Sequence, residues 1–264
     1  MHIEMIIILI SILIVCLIGF KKYVWFISLG YGFSITTVGI MLLILFSNNI
    51  TLPLILSSLV LIGYGLRLGL FLAIREFKST SYNKKMKGEI SDGSNMTLFV
   101  KSMLWISCAL LYLLMTCPII YRFINNDGGD TCFYIGLLIS VIGIFIESLS
   151  DYQKGQAKKK NPNRFCDSGL FKIVRCPNYF GEMIIWTGIF ISGLTTLNNI
   201  QWLWAIIGYI GIIYIMFSGA RRLELRQDRT YKDDKDYQEY IKKTPILIPL
   251  IPLYSVKKYK WLVG

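Results

Sequence analysis

Residues 132–160 read CFYIGLLISVIGIFIESLSDYQKGQAKKK, and this stretch decides the architecture. Its first part, 132–150, is almost wholly apolar and close to the roughly 20 residues a helix needs to cross the hydrocarbon core of a bilayer. Its end carries Lys154, Lys158, Lys159 and Lys160. A span that runs into positive charge is anchored on the cytosolic side. Near that end an ionisable side chain, Glu147, sits inside the span, and Asp151 follows one helical turn later on the same face.

Working outward, six further apolar segments have the same character: 5–20, 24–46, 52–74, 98–120, 180–199 and 200–219. The first is followed by Lys21 and Lys22 without a small-residue cleavage site, so it reads as a retained helix rather than a signal peptide. The last two are separated only by Asn198, Asn199 and Gln201 and form a tight helical hairpin. The connectors alternate. Lys21 and Lys22, a basic loop from Arg75 to Lys87, the lysines after 150 and a tail with Arg221, Arg222, Arg226 and Arg229 occupy the odd positions. The even ones hold Ser47-Asn48-Asn49, then Arg122 with Asp127 and Asp130, then the asparagines at 198 and 199. The expected fold is therefore an all-α integral membrane protein of about seven transmembrane helices, with the N-terminus outside and an amphipathic C-terminal segment in the cytosol. It is one membrane domain over 1–264, with lipid-facing N-terminal helices over 1–130. The expected location is a bacterial inner membrane, or the endoplasmic reticulum in a eukaryote.

Composition agrees. Of 264 residues 54% are hydrophobic, more than one soluble core of this size requires. The net charge of +12 would suggest nucleic acid on a soluble face, but here the cations lie between apolar runs and record topology, so no nucleic-acid partner is expected. Six cysteines form no CxxC pair and the single histidine is His2, which argues against a metal site and a disulfide scaffold. It also leaves Cys176 without an imidazole to activate it.

Three places could carry chemistry. Glu147 and Asp151 could accept hydrogen bonds from a ligand or pair with the lysines beyond. Tyr64 and Arg67, three apart in Gly63-Tyr64-Gly65-Leu66-Arg67-Leu68-Gly69, suit a polar ligand head, although arginine can also snorkel and glycines serve helix packing. The most informative segment is Gly169-Leu170-Phe171-Lys172-Ile173-Val174-Arg175-Cys176-Pro177-Asn178-Tyr179-Phe180-Gly181-Glu182. Proline suits the first turn of a helix, so span six is predicted to begin near Pro177 and to offer unpaired N–H groups and a positive dipole end to an anion, with Arg175 adding charge. Asn178 and Glu182 share a face at i,i+4.

Taken in order, Glu147, Asp151-Tyr152-Gln153, Asn161, Arg164, Gly169-Leu170-Phe171, Arg175 through Glu182, Trp186, the tyrosine-rich tail and Ile248-Pro249 resemble the steroid 5-alpha-reductase superfamily, especially its bacterial membrane branch. The resemblance implies seven helices holding NADPH in a cytosol-facing cavity formed by the C-terminal region, 131–264, with a membrane lipid such as a steroid enone entering from the bilayer. It implies that Asp151, Arg164, Asn178 and Glu182 bind the cofactor, helped by Lys158, Arg175, Tyr179, an arginine at 221 or 222 (Arg221 first) and Tyr231. It further implies that Tyr64 polarises the substrate carbonyl, with Arg67 and Glu147 near the substrate. Two departures stand out. Cys176 takes a place where many relatives have histidine, and spans one to three hold no counterpart of the glutamate that pairs with the catalytic tyrosine in steroid reductases. Two other functions fit parts of the pattern: an S-adenosylmethionine-dependent isoprenylcysteine or phospholipid methyltransferase, which shares an Arg-x-Pro-x-Tyr-x-Gly element, and a non-catalytic membrane scaffold.

Overall fold

A computed structural model describes residues 2–78 and 96–263. Among these, every regular element is helical: α1 (Ile3–Cys16), α2 (Leu29–Leu45), α3 (Leu52–Lys78), α4 (Leu98–Ile124), α5 (Thr131–Lys160), α6 (Pro177–Gly193), α7 (Ile200–Thr230) and α8 (Lys235–Lys243), with short 3-10 turns between some of them. The protein is an all-helical, multi-pass membrane protein. The basic loop expected over 75–87 lies, beyond Lys78, outside the described residues.

Among the described residues six segments are long and apolar enough to cross a bilayer: Ile3–Phe20, Tyr23–Leu45, Leu52–Phe77, Leu98–Ile124, Thr131–Lys160 and Ile200–Thr230. The remaining expected span, 180–199, differs. Helix α6 starts earlier, at Pro177, and stops at Gly193 after 17 residues, a length of about 26 Å against a core of about 30 Å. Gly193 lies close against Pro118 of α4. A Cβ there would stand 2.5 Å from the Pro118 side chain. The chain then turns through Thr195 and Thr196 and through Asn199 at a positive φ of 42°.

Several helices also outrun their apolar segments. Helix α5 continues to Lys160 and α7 to Thr230 because lysine, glutamine, glutamate and arginine keep good helix propensity after the apolar run ends. The expected amphipathic C-terminal segment is thus the end of α7 followed by α8. Asp234 caps α8 by accepting from the Tyr237 N–H at 3.1 Å.

The fold separates into two compact units. Unit 1 comprises 1–137 with 189–208, and unit 2 comprises 138–188 with 209–264. In unit 1, α2 and α3 touch backbone to backbone along a glycine seam. A Cβ on Gly32 would lie 2.6 Å from the Gly69 nitrogen, and one on Gly65 would lie 2.5 Å from the Gly32 carbonyl and the Thr36 nitrogen. Larger side chains would force the helices apart. Unit 1 also corrects the reading of Arg122 as a connector residue. It lies inside α4, 1% exposed. Its guanidinium donates to the carbonyls of Ser192 (2.9 Å) and Gly128, to Thr195 Oγ1 (2.7 Å) and to Asp130 (3.3 Å). Buried cations demand such partners, and two of these, Ser192 and Thr195, come from a distant part of the chain.

Unit 2 is built on a small core of Cys176, Ala220, Leu223, Ile246, Leu247, Val256 and Leu262. The chain after α8 returns as a strap. The Arg175 and Cys176 N–H groups each donate at 2.9 Å to the carbonyls of Pro245 and Ile246. The Tyr214 hydroxyl donates at 2.8 Å to the carbonyl of Trp261.

Candidate functional site

In unit 2, α5 and α6 cross with almost no side chain between them. A Cβ on Gly143 would meet the Ile185 nitrogen at 2.6 Å and the Gly181 carbonyl at 2.7 Å, while one on Gly181 would meet the Glu147 nitrogen at 2.7 Å. Position rises along α5 as it falls along α6, so the two run antiparallel. The turn of α5 that carries Asp151 comes level with the first turn of α6. The crossing thereby gathers Glu147, Asp151, Asn178 and Glu182, four of the sequence-predicted residues, at one end of the pair. Glu147 and Glu182 are buried, and Asp151 and Asn178 are partly so. The Oδ1 of Asn178 is buried and has no hydrogen-bond partner among the described residues.

Pro177 opens α6 as expected, and the first intrahelical bond falls at the Phe180 N–H, donating to the Cys176 carbonyl at 3.1 Å. The Tyr179 ring packs beside Gly219 of α7, where a Cβ would stand 3.3 Å from it. Arg222 and Arg226 stand close enough to act on that phenol electrostatically. Between the two arginines considered at 221 and 222, Arg222 is therefore the one near Tyr179. Arg221 instead donates to the carbonyls of Lys257 and Leu262, each at 3.2 Å, and fastens the strap.

Arg175 also has a different employment from the one expected of it. It is 3% exposed, and its Nη2 donates to Glu224 Oε1 at 3.0 Å and to the carbonyl of Tyr254. The other Glu224 oxygen accepts the Val256 N–H at 2.9 Å. Its charge is matched inside the protein rather than displayed at the α6 N-terminus. Its Nε and Nη1 are buried without partners among the described residues.

A second group forms around the loop 161–176. The Lys158 ammonium donates to the Arg164 carbonyl at 2.5 Å and to the Tyr231 hydroxyl at 3.0 Å, so three predicted residues do meet. The Arg164 guanidinium lies over the Phe165 ring and donates to Asp167 at 2.8 Å and Asp236 at 3.0 Å. These hydrogen bonds, with Asp167 the larger, hold its proton more firmly than usual. Phe165 is enclosed by Tyr231, Tyr237 and Tyr240, whose ring centroids lie 5.2 to 5.7 Å from its own. The Tyr240 hydroxyl donates to the Phe171 carbonyl at 2.7 Å. The tail tyrosines thus fold the loop, which their spacing alone did not announce. Gly169 stands at φ +60°, where a Cβ would strike Gln153 Oε1 at 2.3 Å, and the next N–H, Leu170, donates to that oxygen at 2.9 Å. Burial pushes the Cys176 thiol up to about 12, so it is no thiolate nucleophile.

Unit 1 holds the remaining predicted residues. Tyr64 is 1% exposed, and its hydroxyl lies 3.0 Å from that of Tyr31. Arg67, on the next turn, has its guanidinium over the Phe71 ring at 5.5 Å. Tyr31 was not singled out from the sequence, since the glycine register that brings it to Tyr64 is a tertiary fact. The flanking Tyr31-Gly32 and Tyr64-Gly65 dipeptides are the trace that could have pointed to it.

The family described as "Protein of unknown function (DUF1295)" matches residues 16–244, most of the chain. Among curated proteins, Steroid 5-alpha-reductase DET2 of Arabidopsis thaliana is 35% identical over 79 residues, covering 29% of this chain and 27% of that protein. Steroid 5-alpha-reductase DET2 of Gossypium hirsutum is 29% identical over 45% of this chain and 42% of its own length. The 3-oxo-5-alpha-steroid 4-dehydrogenase 1 of Rattus norvegicus is 25% identical over 46% and 42%. The matched stretches span less than half of these relatives. No solved structure matches. The chain belongs to the DUF1295 family, within the steroid 5-alpha-reductase superfamily.

Proposed function

We propose that this protein is an NADPH-dependent reductase of a conjugated carbon–carbon double bond in a steroid-like or isoprenoid lipid. The observation that carries the reading is the buried, unpartnered Asn178 Oδ1 at the first turn of α6, beside the Asp151 end of α5. A buried amide oxygen costs free energy until a donor meets it, and the carboxamide and ribose hydroxyls of a nicotinamide nucleotide are donors of the required kind. The other residues of unit 2 fit the same group. Lys158, Arg164 and Arg222 supply positive charge for phosphate oxygens, and Asp151 and Glu182 accept from hydroxyls. Tyr179 and Tyr231 offer ring faces and hydroxyls. Arg175 and Arg221 hold the C-terminal strap of unit 2.

NADPH, when bound, would supply a hydride to the β carbon of the enone. The protein's own contribution is polarisation and orientation. The Tyr64 hydroxyl would donate to the carbonyl oxygen, drawing electron density from the double bond, with Arg67 one turn away to hold a polar ligand group, and Glu147 of unit 2 would separately accept a hydrogen bond from a ligand. The α carbon then takes a proton, so the lipid gains two hydrogens. The bilayer is the source of substrate, and the basic connectors make the cytosol the side from which a soluble polyanion arrives.

Thermal stabilisation of the purified protein tests the cofactor. NADPH is expected to raise the unfolding temperature, NADH less, and S-adenosylmethionine not at all. Stabilisation by S-adenosylmethionine alone would replace the reductase with a methyltransferase, and stabilisation by none would favour a scaffold.

A further inference from the structure

In unit 1 a chain of three tyrosines is held with more precision than packing requires. The Tyr31 and Tyr64 hydroxyls are 3.0 Å apart. The Tyr31 ring stacks on that of Tyr112 at 5.1 Å and 26°, and the Tyr112 hydroxyl donates to the Phe26 carbonyl at 2.8 Å. All three are 7% exposed or less. Each member of the hydroxyl pair is followed by a glycine of the α2–α3 seam, Gly32 and Gly65, at which the two backbones touch. The seam fixes the register of α2 against α3. The stack fixes the ring of Tyr31. The distance between the two hydroxyls is therefore set by the fold.

We infer that Tyr31 is a positioning residue that directs the hydrogen-bond donation of Tyr64 toward the carbonyl of a bound lipid enone. This rests on the reductase reading above. Two phenols at this separation share one hydrogen, and the direction of sharing matters. When Tyr31 donates into the Tyr64 oxygen, the hydrogen of Tyr64 is turned away from Tyr31 toward a third acceptor. The bond it then makes is strengthened by the one it receives. Anchored by Tyr112, Tyr31 cannot swing away, so Tyr64 is oriented before substrate arrives. No covalent step belongs to Tyr31, and its own proton stays on its oxygen.

The test uses the full-length protein in detergent with NADP+ bound, progesterone as the enone probe, and the variants Y31F, Y64F and Y112F. Donation to an enone carbonyl moves its ultraviolet absorption to longer wavelength. The wild type is expected to show that shift, Y64F to lose it, and Y31F to bind progesterone with a smaller shift. In turnover with NADPH, Y31F should lower kcat roughly three- to tenfold, the range of one ordinary hydrogen bond, with KM within about twofold. Y112F keeps the stacked ring and should move both readings the same way by less, which covers the case in which Y31F does not fold. A Y31F protein, or failing that a Y112F protein, with the wild-type shift and wild-type kcat overturns the assignment and leaves the reductase intact. A wild type that shows no shift and no stabilisation by NADPH overturns the reductase and the role of Tyr31 with it.

Discussion

Replacing Glu224 by glutamine should loosen the C-terminal strap far more than an exposed charge change would. The carboxylate is 2% exposed and so is its partner Arg175, 3.0 Å away. One oxygen neutralises the guanidinium and the other accepts the Val256 N–H at 2.9 Å. Glutamine keeps one carbonyl acceptor and removes the charge, so the buried guanidinium loses its counter-charge and faces only neutral acceptors such as the Tyr254 carbonyl. Breaking one side of a buried pair costs about 3–5 kcal/mol, which corresponds to roughly a hundred- to a few-thousand-fold more frequent local opening. Hydrogen exchange at the Val256 amide reads that opening directly, and limited proteolysis after α8 reads it independently. The double variant R175M/E224L removes both charges and fills the space with apolar atoms, and should return exchange to near the wild-type rate. If E224Q exchanges at Val256 within about threefold of wild type, the pair does not hold the strap and the energetic argument fails.

Other outcomes follow from the same geometry. Asp151→Ala and Asn178→Ala should each weaken NADPH binding by roughly tenfold, as loss of a hydrogen bond at a partly buried site predicts; unchanged affinity in both, measured by titration, removes the cofactor site from the α5–α6 crossing. Gly32→Leu should destabilise unit 1 by at least about 1–3 kcal/mol, because its Cβ would already stand 2.6 Å from the Gly69 nitrogen, and a thermal scan in detergent checks it. Asp130 loses solvation in the fold, but hydrogen bonds from Thr195 and the Phe133 N–H, with the Arg122 charge, outweigh this and hold its carboxyl below the usual range. Its stabilising effect is therefore full above the ordinary carboxylate pKa and is lost as pH falls through the lowered one, so the stability gap between wild type and D130N should close at acid pH. A reporter fused after residue 264 should read as cytosolic, and an external reading would contradict the charge alternation.

The apolar segments and their basic flanks were legible because lipid exposure imposes long uniform runs and the positive-inside rule marks their ends. The start of α6 at Pro177 was legible for a local reason, a helix-starting residue, whereas the meeting of Lys158 with Tyr231 joins residues 73 apart and was not. Arg122 was misplaced as a connector residue, because the carbonyls and hydroxyls that allow its burial lie some 70 residues later, at Ser192 and Thr195. Arg175 and Arg221 looked like charges offered to a ligand until the strap returned to claim them. The last expected span but one ran long because hydropathy continues past Gly193, whereas the helix stops at a turn. The Tyr31–Tyr64 pair is set by interhelical register, which no single segment encodes.

The most direct measurement incubates the purified protein with NADPH and a conjugated enone lipid and follows both reactants by absorbance and mass. The account predicts that NADPH is oxidised in step with loss of the conjugated double bond, that the product gains two hydrogens, and that deuterium carried by the reduced nicotinamide appears at the β carbon. A product that instead gains a methyl group from S-adenosylmethionine, or a lipid unchanged with NADPH bound and intact across a panel of steroid and isoprenoid enones, would contradict it.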